Sequence, residues 1–136
     1  MTAREYLEQY KEAERIVQRI RAEYMEQMEL VDNIRSSLGG DGMPRGGDVT
    51  KRVEAQAVKL AEKAEELLQA EADALALRQS IFRTVQRVPG DPGDVLRERY
   101  IELRKWEDVA IVLGWSERNC HYLHDKGLDI VEEMIR

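Results

Sequence analysis

Five residues near the end of the chain have the side-chain types with which proteins read DNA. They are Glu117, Arg118, Asn119, His121 and Tyr122. An arginine can donate two hydrogen bonds to a guanine edge, and a glutamate can accept one from the amino group of cytosine. Histidine and tyrosine can contact base edges or phosphate, and Asn119 is placed for a backbone contact. These side chains can read DNA only if they form the outer face of a helix that enters the major groove.

The surrounding sequence predicts two short helices joined by a glycine turn. Apolar residues recur at i, i+3, i+4 and i+7, which is one face of a helix; they are Trp106, Val109, Ala110 and Leu113. Gly114 lacks a Cβ and can end that helix in the left-handed conformation. Ser116 can cap the next helix with its hydroxyl. A helix, a turn and a capped second helix, in that order, form a helix-turn-helix.

Two local basic residues favour DNA binding, whereas the overall negative charge argues against it. Arg104 and Lys105 precede the first helix of the motif, where they can reach a flanking phosphate. The net charge of the chain is −6. Residues 94–136 have 7 basic and 10 acidic side chains, against 14 and 17 in residues 1–93. The predicted DNA-binding part is therefore not basic overall, unlike a domain that coats nucleic acid.

The C-terminal part, residues 89–136, has enough apolar residues for a small core. The two Pro-Gly pairs between Val88 and Asp94 cannot continue a helix and mark the boundary. Asp94 is expected to cap a short helix that runs to about Leu103. That helix offers Val95, Leu96, Tyr100, Ile101 and Leu103. The inward set of the last helix is Cys120, Leu123, Gly127, Ile130, Val131 and Met134. Trp106 and Trp115 are expected to close this core.

Residues 1–88 are predicted to form a long helical hairpin. Apolar residues recur every three or four positions over about 2–38 and 49–88, with a glycine-rich linker at 39–48 and Asp48 as a cap. The first stripe is Tyr6, Tyr10, Ala13, Val17, Ile20, Tyr24, Met28, Val31, Ile34 and Leu38. The second is Val53, Ala57, Leu60, Ala64, Leu67, Leu68, Leu75, Ile81, Phe82, Val85 and Val88. The expected fold is all-α, a long antiparallel hairpin followed by a helix-turn-helix three-helix unit.

The motifs of residues 94–136 resemble a known family. They are Leu96-Arg-Glu-Arg-Tyr-Ile101, Trp106-Glu-Asp-Val-Ala110, Leu113-Gly, Ser116-Glu-Arg, Tyr122-Leu-His124 and Gly127-Leu128. This pattern is similar to the C-terminal region of phage transcriptional regulators of the ArpU/RinA type, and to the region of sigma factors that reads the promoter −35 element. The resemblance implies that Glu117, Arg118, His121 and Tyr122 occupy the positions that read DNA. The layout of the N-terminal part is similar to that of a phage-encoded family of unknown function that shares this tail.

Metal binding and catalysis have weaker support in the sequence. Cys120 and His124 are four positions apart and can share a helix face, with His121 beside them. A structural zinc needs four ligands, and the sequence has no second cluster of such residues. No nucleophile and base with an orienting group can be recognised. We therefore expect no metal, no cofactor, no small-molecule substrate and no enzymatic activity.

The remaining composition bears on location. A single cysteine excludes a disulfide within one chain and fits a reducing compartment. The sequence has no apolar run of about 18 residues, and its polar, acidic first residues are not expected to act as a signal peptide. We expect the protein in the cytoplasm of a bacterial host cell, away from the membrane.

The sequence thus predicts a phage or prophage transcriptional regulator that binds double-stranded promoter DNA through its C-terminal helix-turn-helix. The helical hairpin would serve for oligomerisation or partner binding, and a homodimer is the expected state. One alternative is a protein-interaction module that acts on host RNA polymerase without reading DNA. A second alternative is a DNA-packaging adaptor similar to a small terminase subunit.

Overall fold

A computed structural model describes residues 1–38 and 47–136, and this part of the chain is helical without strands. The elements are α1 (Ala3–Leu38), α2 (Gly47–Gln86), α3 (Gly90–Leu96), a π-helical segment (Arg97–Ile101), α4 (Trp106–Leu113) and α5 (Glu117–Ile135). The predicted fold class, two long packed helices followed by shorter C-terminal helices, is confirmed. No helix in the described ranges is long and apolar enough to cross a membrane.

Most of the predicted linker, residues 39–46, lies outside the described residues. The helix that follows it already begins at Gly47, two residues before the predicted start. Asp48 therefore lies inside α2 and does not precede it as a cap. The second long helix also ends earlier than predicted, at Gln86 rather than at Val88.

The described residues divide into two compact units that differ from the predicted division at residue 88. The first unit comprises residues 1–14 and 73–136, and the second comprises residues 15–72. The C-terminal helices thus share a unit with the beginning of α1 and the end of α2. The reason is a common apolar core, because residues from α1, α2, α3, the π-helical segment and α5 are buried together.

The core of the first unit joins distant parts of the chain. Its buried residues are Ala3, Leu7, Ile81, Val85, Val88, Leu96, Tyr100, Ile101 and Val131. Tyr6 lies beside this core, and its hydroxyl is 3.0 Å from that of Thr84. The predicted stripe of the first helix omitted Ala3 and Leu7, although Leu7 is fully buried. The amide of Ala3 also donates to a carboxylate oxygen of Glu132 at 2.7 Å.

The beginning of α3 corrects the prediction for the Pro-Gly segment. Pro89 is the N-cap residue, and α3 includes Gly90, Pro92 and Asp94. Asp94 therefore lies inside the helix and does not cap it. Pro92 is tolerated because the amides of the first helical turn have no partner within the helix. Gly90 has a left-handed φ of 72°, which glycine adopts without a steric penalty.

Gly93 in α3 allows a close approach to the end of α2. A Cβ at this position would overlap the carbonyl oxygen of Val88. A backbone oxygen cannot move aside as a flexible side chain can. The glycine is therefore required for α3 to begin so soon after α2.

The second unit, residues 15–72, is an antiparallel pair formed by the adjoining parts of α1 and α2. Arg21 contacts Glu71 at 2.8 Å and Glu23 contacts Lys63 at 2.8 Å. Gln27 donates to Gln56, also at 2.8 Å. The partner's number falls as the number in α1 rises, as an antiparallel arrangement requires. Among the described side chains of this unit, the buried ones are Val17, Ile20 and Val31, all in α1.

The predicted stripe of the second helix needs one correction. Leu68 and Leu75 were assigned to the inner face, but both side chains are exposed. Ala74 is buried in place of Leu75. Positions 67, 74 and 81 follow the spacing of seven that keeps a helix face toward its neighbour, whereas 68 and 75 lie one position further around the helix.

Candidate nucleic-acid interface

The turn between α4 and α5 has the geometry that its residues predict. Gly114 has a left-handed φ of 73° and ends α4. The amides of Gly114 and Trp115 both donate to the carbonyl of Ala110, at 2.9 and 3.1 Å. The bond from Trp115 is the 6→1 bond of a Schellman motif, and the bond from Gly114 is the 5→1 bond of the αL motif, so both satisfy the same carbonyl. Ser116 accepts from the amide of Asn119 at 3.1 Å, so the predicted N-cap is confirmed.

The inner face of α5 anchors this helix in the first unit. The small core between α4 and α5 comprises Val95, Val109, Ala110 and Cys120, with Trp106, Leu113, Trp115 and Leu123 packed around it. This arrangement confirms that the two tryptophans close a small core. Further along α5, a Cβ on Gly127 would lie 2.9 Å from Cδ1 of Leu96. The missing side chain therefore lets α5 pack directly against α3.

The opposite face of α5 presents all five predicted DNA-contacting residues of this helix to solvent. Glu117, Arg118, Asn119, His121 and Tyr122 are exposed. They occupy the first two turns, which is the part of a recognition helix that contacts base edges. The structure thus brings these five residues together on one exposed surface, which we call the recognition face.

Two residues of the recognition face have contacts that restrict their side chains. The ring of His121 lies 4.1 Å from the ring of Trp106, measured between centroids. The ammonium of Lys126 lies 4.7 Å from the centre of the Tyr122 ring. Lys126 was not among the predicted site residues. Its i+4 spacing from Tyr122 is the sequence signal that places it there.

The two basic residues before α4 differ in their availability. Arg104 donates from Nε to a carboxylate oxygen of Glu98 at 2.6 Å, so its charge is compensated. This hydrogen bond raises the pKa of Arg104. Lys105 is exposed at the N-cap position of α4. The structure therefore leaves Lys105, rather than Arg104, as the freer cation for a flanking phosphate.

Arg99 supports the beginning of α4 from the π-helical segment. Its guanidinium lies 4.8 Å from the centre of the Trp106 ring, and it donates to the carbonyl oxygen of Arg104 at 2.8 Å. The cation and the hydrogen bond both hold the short connection before α4. Sequence reasoning did not assign this residue a role, because its partners are fixed only by the folded backbone.

His124 was also not predicted, because it was absent from the inward residues assigned to the last helix. Its side chain is buried, with 2% of its surface exposed. Nε2 lies 2.6 Å from the hydroxyl of Tyr100, and Nδ1 faces Asp125 at 3.6 Å. A proton on Nδ1 leaves Nε2 to accept from the tyrosine. The spacing of 120, 124, 127 and 131 is the sequence signal that indicates an inward position.

Burial keeps the Tyr100–His124 pair neutral. It lowers the pKa of His124 to about 4 and raises the pKa of Tyr100 to about 12. In both residues desolvation of the charged form is the main cause. The pair therefore acts as a neutral hydrogen bond between the π-helical segment and α5.

Cys120, His121 and His124, whose spacing in the sequence suggested zinc ligands, do not form a common site. Cys120 is buried in the small core, where desolvation raises the pKa of its thiol. His121 is exposed, and Nε2 of His124 is engaged with Tyr100. Over residues 1–38 and 47–136, no three histidine, cysteine, aspartate or glutamate side chains are grouped to hold a metal ion.

The surface of α4 differs from the recognition face. Glu107 and Asp108 are exposed in its first turn, and two aliphatic side chains follow on the exposed side. These are Ile111, with 76% of its surface exposed, and Val112, with 50%. The helix-turn-helix therefore has an exposed polar face of mixed charge on α5 and an acidic and aliphatic face on α4.

Comparison with known proteins finds no family model, curated protein or solved structure that matches the chain.

Proposed function

We propose that the protein is a transcriptional regulator of the phage or prophage type that binds double-stranded DNA through α4 and α5. The observation that carries this proposal is the recognition face. Five side chains able to contact bases or phosphates are exposed on the first two turns of a capped helix, and the other face of that helix is packed in a core. A rigidly held helix with a free polar face suits insertion into the major groove.

Within this face, Arg118 has the role with the clearest chemistry. It is exposed in the first turn of α5, where its guanidinium can donate to a guanine edge or to phosphate. Glu117 supplies an acceptor for cytosine, and His121 and Tyr122 contribute polar groups with restricted side chains. Lys105 and Lys126 add positive charge at the edges of the face, which helps offset Glu117 and Asp125.

The test is selection of a binding sequence from random duplexes of about 30 base pairs, long enough for two half-sites. Fluorescence anisotropy of the selected and a scrambled duplex then gives affinity as a function of salt. We expect preference for the selected duplex and weaker binding as salt rises. Failure to enrich any sequence at low salt contradicts DNA readout.

Arg118→Ala tests the recognition face directly. We expect about a ten- to hundredfold loss of affinity for the selected duplex, because a bidentate contact to a base contributes roughly 1–3 kcal/mol of discrimination. Arg83→Ala removes the same charge from an exposed position near the end of α2 and serves as the matched control. Equal affinities of the two variants would assign DNA binding to another surface.

A protein-interaction module acting on RNA polymerase is the second candidate, and the exposed face of α4 favours it. Ile111 and Val112 are large aliphatic side chains in solvent, one turn after Glu107 and Asp108. Such a face suits a partner with apolar and basic residues. Purified RNA polymerase should then bind the parent protein but not the Ile111→Glu variant. The same variant should still bind the selected duplex. If the parent protein binds the selected duplex but not RNA polymerase, DNA readout alone is favoured.

A further inference from the structure

The part of α2 within the second unit has two adjacent apolar stripes. The inner stripe faces α1 and is only half-buried; it comprises Val53, Ala57, Leu60, Ala64 and Leu67. The outer stripe is exposed along its whole length and comprises Val58, Ala61, Leu68 and Ala72. Val58 and Leu68 have 57% and 67% of their surfaces in solvent. From residue 50 to residue 72, no side chain of α2 is fully buried.

The outer stripe follows one edge of the hairpin in this unit, an edge that also carries the exposed carboxylates of Glu54 and Glu65. The other edge carries the ion pairs of Lys63 with Glu23 and Glu66, at 2.8 and 2.9 Å, together with the exposed side chains of Ile16 and Leu30. At about 100° per residue, Lys63 and Leu68 fall on opposite flanks of the inner stripe of α2. By the same spacing, Met25 of α1 lies on the flank opposite Glu23, and 55% of its surface is exposed. Both helices thus leave apolar side chains on the edge that carries the outer stripe.

We propose that a second copy of this chain covers the outer stripe. Helices in bundles bury a stripe that is wider than one neighbouring helix can cover, with three to four apolar residues per two turns. Here α1 covers the inner stripe only. The described side chains of the unit, in residues 15–37 and 50–72, include 8 basic and 9 acidic residues, so a copy meets little net repulsion.

The alternation of side-chain size along the outer stripe favours an antiparallel copy. A two-fold axis beside Glu65 places Val58 opposite Ala72 of the partner subunit and Leu68 opposite Ala61 of the partner subunit. Each large side chain then faces a small one, which permits close packing without overlap. The contact is the same for both copies, as a two-fold dimer requires. The cost is the approach of two Glu65 carboxylates near the axis.

Sedimentation equilibrium of the full chain without DNA tests the dimer. The parent protein is expected to be a dimer at micromolar concentration. Leu68→Glu places a carboxylate in the proposed contact and should weaken association on the order of tenfold or more, with unchanged helicity, because the position is exposed in the monomer. Ile111→Glu, the same kind of change at an exposed aliphatic residue of α4, should leave the association unchanged.

Glu65→Gln distinguishes this arrangement from other modes of association. Removal of the two facing carboxylates should strengthen the dimer several-fold, most clearly at low salt. A monomeric parent at about 100 µM, a ring-sized mass, or equal association of Leu68→Glu and Ile111→Glu overturns the proposal. An unchanged or weaker dimer for Glu65→Gln overturns the antiparallel placement. The inference does not depend on DNA binding, since Arg118→Ala should dimerise as the parent does.

Discussion

The hydroxyl of Tyr100 lies 2.6 Å from Nε2 of His124, so the π-helical segment is hydrogen-bonded to the middle of α5. Both side chains are buried, and the Trp106 ring meets His124 edge to face at 4.8 Å. The helix that carries the recognition face is thus held by a polar contact as well as by apolar packing. A buried pair of this kind remains favourable only while the imidazole is neutral.

Acid is expected to weaken the fold through His124. Its pKa is about 4 in the folded protein, below the usual value of 6.5, so the unfolded chain binds more protons between these values. The stabilisation is fully present above pH 6.5 and is lost as the pH falls toward 4. We expect the free energy of unfolding to decrease by about 2 kcal/mol between pH 7.5 and pH 5 from this residue. Urea denaturation at the two values measures it.

The double variant Tyr100→Phe, His124→Leu is the control for this pH dependence. It removes both polar partners together, so no buried group is left unsatisfied. Its stability should change less over the same pH range than that of the parent. An identical loss in both proteins would assign the acid sensitivity to carboxylates elsewhere.

Leu7→Ala is expected to destabilise the helix-turn-helix from the far end of the sequence. Leu7 is fully buried in the core that also contains Leu96 and Val131. Loss of its side chain should cost about 2–5 kcal/mol. Both tryptophans of the chain are in α4 and the following turn, so fluorescence follows unfolding there. Leu75→Ala, the same change at an exposed position, should shift the transition little. An unshifted transition for Leu7→Ala would contradict the shared core.

Two glycines are expected to respond differently to alanine. Gly114→Ala introduces a Cβ into open space and has only the cost of a left-handed φ, roughly 1–2 kcal/mol. Gly93→Ala forces a Cβ against the backbone oxygen of Val88, which has to move with its helix. Thermal unfolding should therefore show a clearly larger loss for Gly93→Ala. The opposite order would mean that α3 can shift away from α2 at low cost.

Ser116→Ala is expected to lower the free energy of unfolding by about 1 kcal/mol. The substitution removes the acceptor for the amide of Asn119, which lies at the beginning of the recognition face. Hydrogen exchange should become faster at this amide, whereas Ser116→Asp should retain protection because a carboxylate also caps a helix. If Ser116→Ala leaves exchange at Asn119 unchanged, the cap is not needed to order the first turn.

Local signals account for the parts of the site that could be predicted. Gly114 and Ser116 act through their own backbone and the next few residues, so their roles follow from sequence position alone. The exposure of Arg118 and His121 follows from the spacing of the inward residues around them. The all-α class follows from two long stretches with apolar residues every three or four positions.

The features that the sequence did not indicate depend on the course of the folded backbone. Arg104 is drawn to Glu98 by a turn whose course the sequence did not indicate, with Leu103 in a left-handed conformation at φ 56°. Asp94 looked like a cap because the preceding Pro-Gly pairs looked like a break, yet Pro92 fits the first turn of α3. Leu7 was missed because its buried partners outside α1 are more than 70 positions away in the sequence.

The contact between Ala3 and Glu132 has a consequence for the timing of folding. The two residues are 129 positions apart, and their elements share one core. At a synthesis rate of about 5–20 residues per second, the first turn of α1 exists for roughly 6–26 seconds before its partner in α5 has been made. During that interval Leu7 has no native core to enter. Chaperone binding or misassembly on the ribosome would therefore act first on the beginning of α1, well before α5 has been translated.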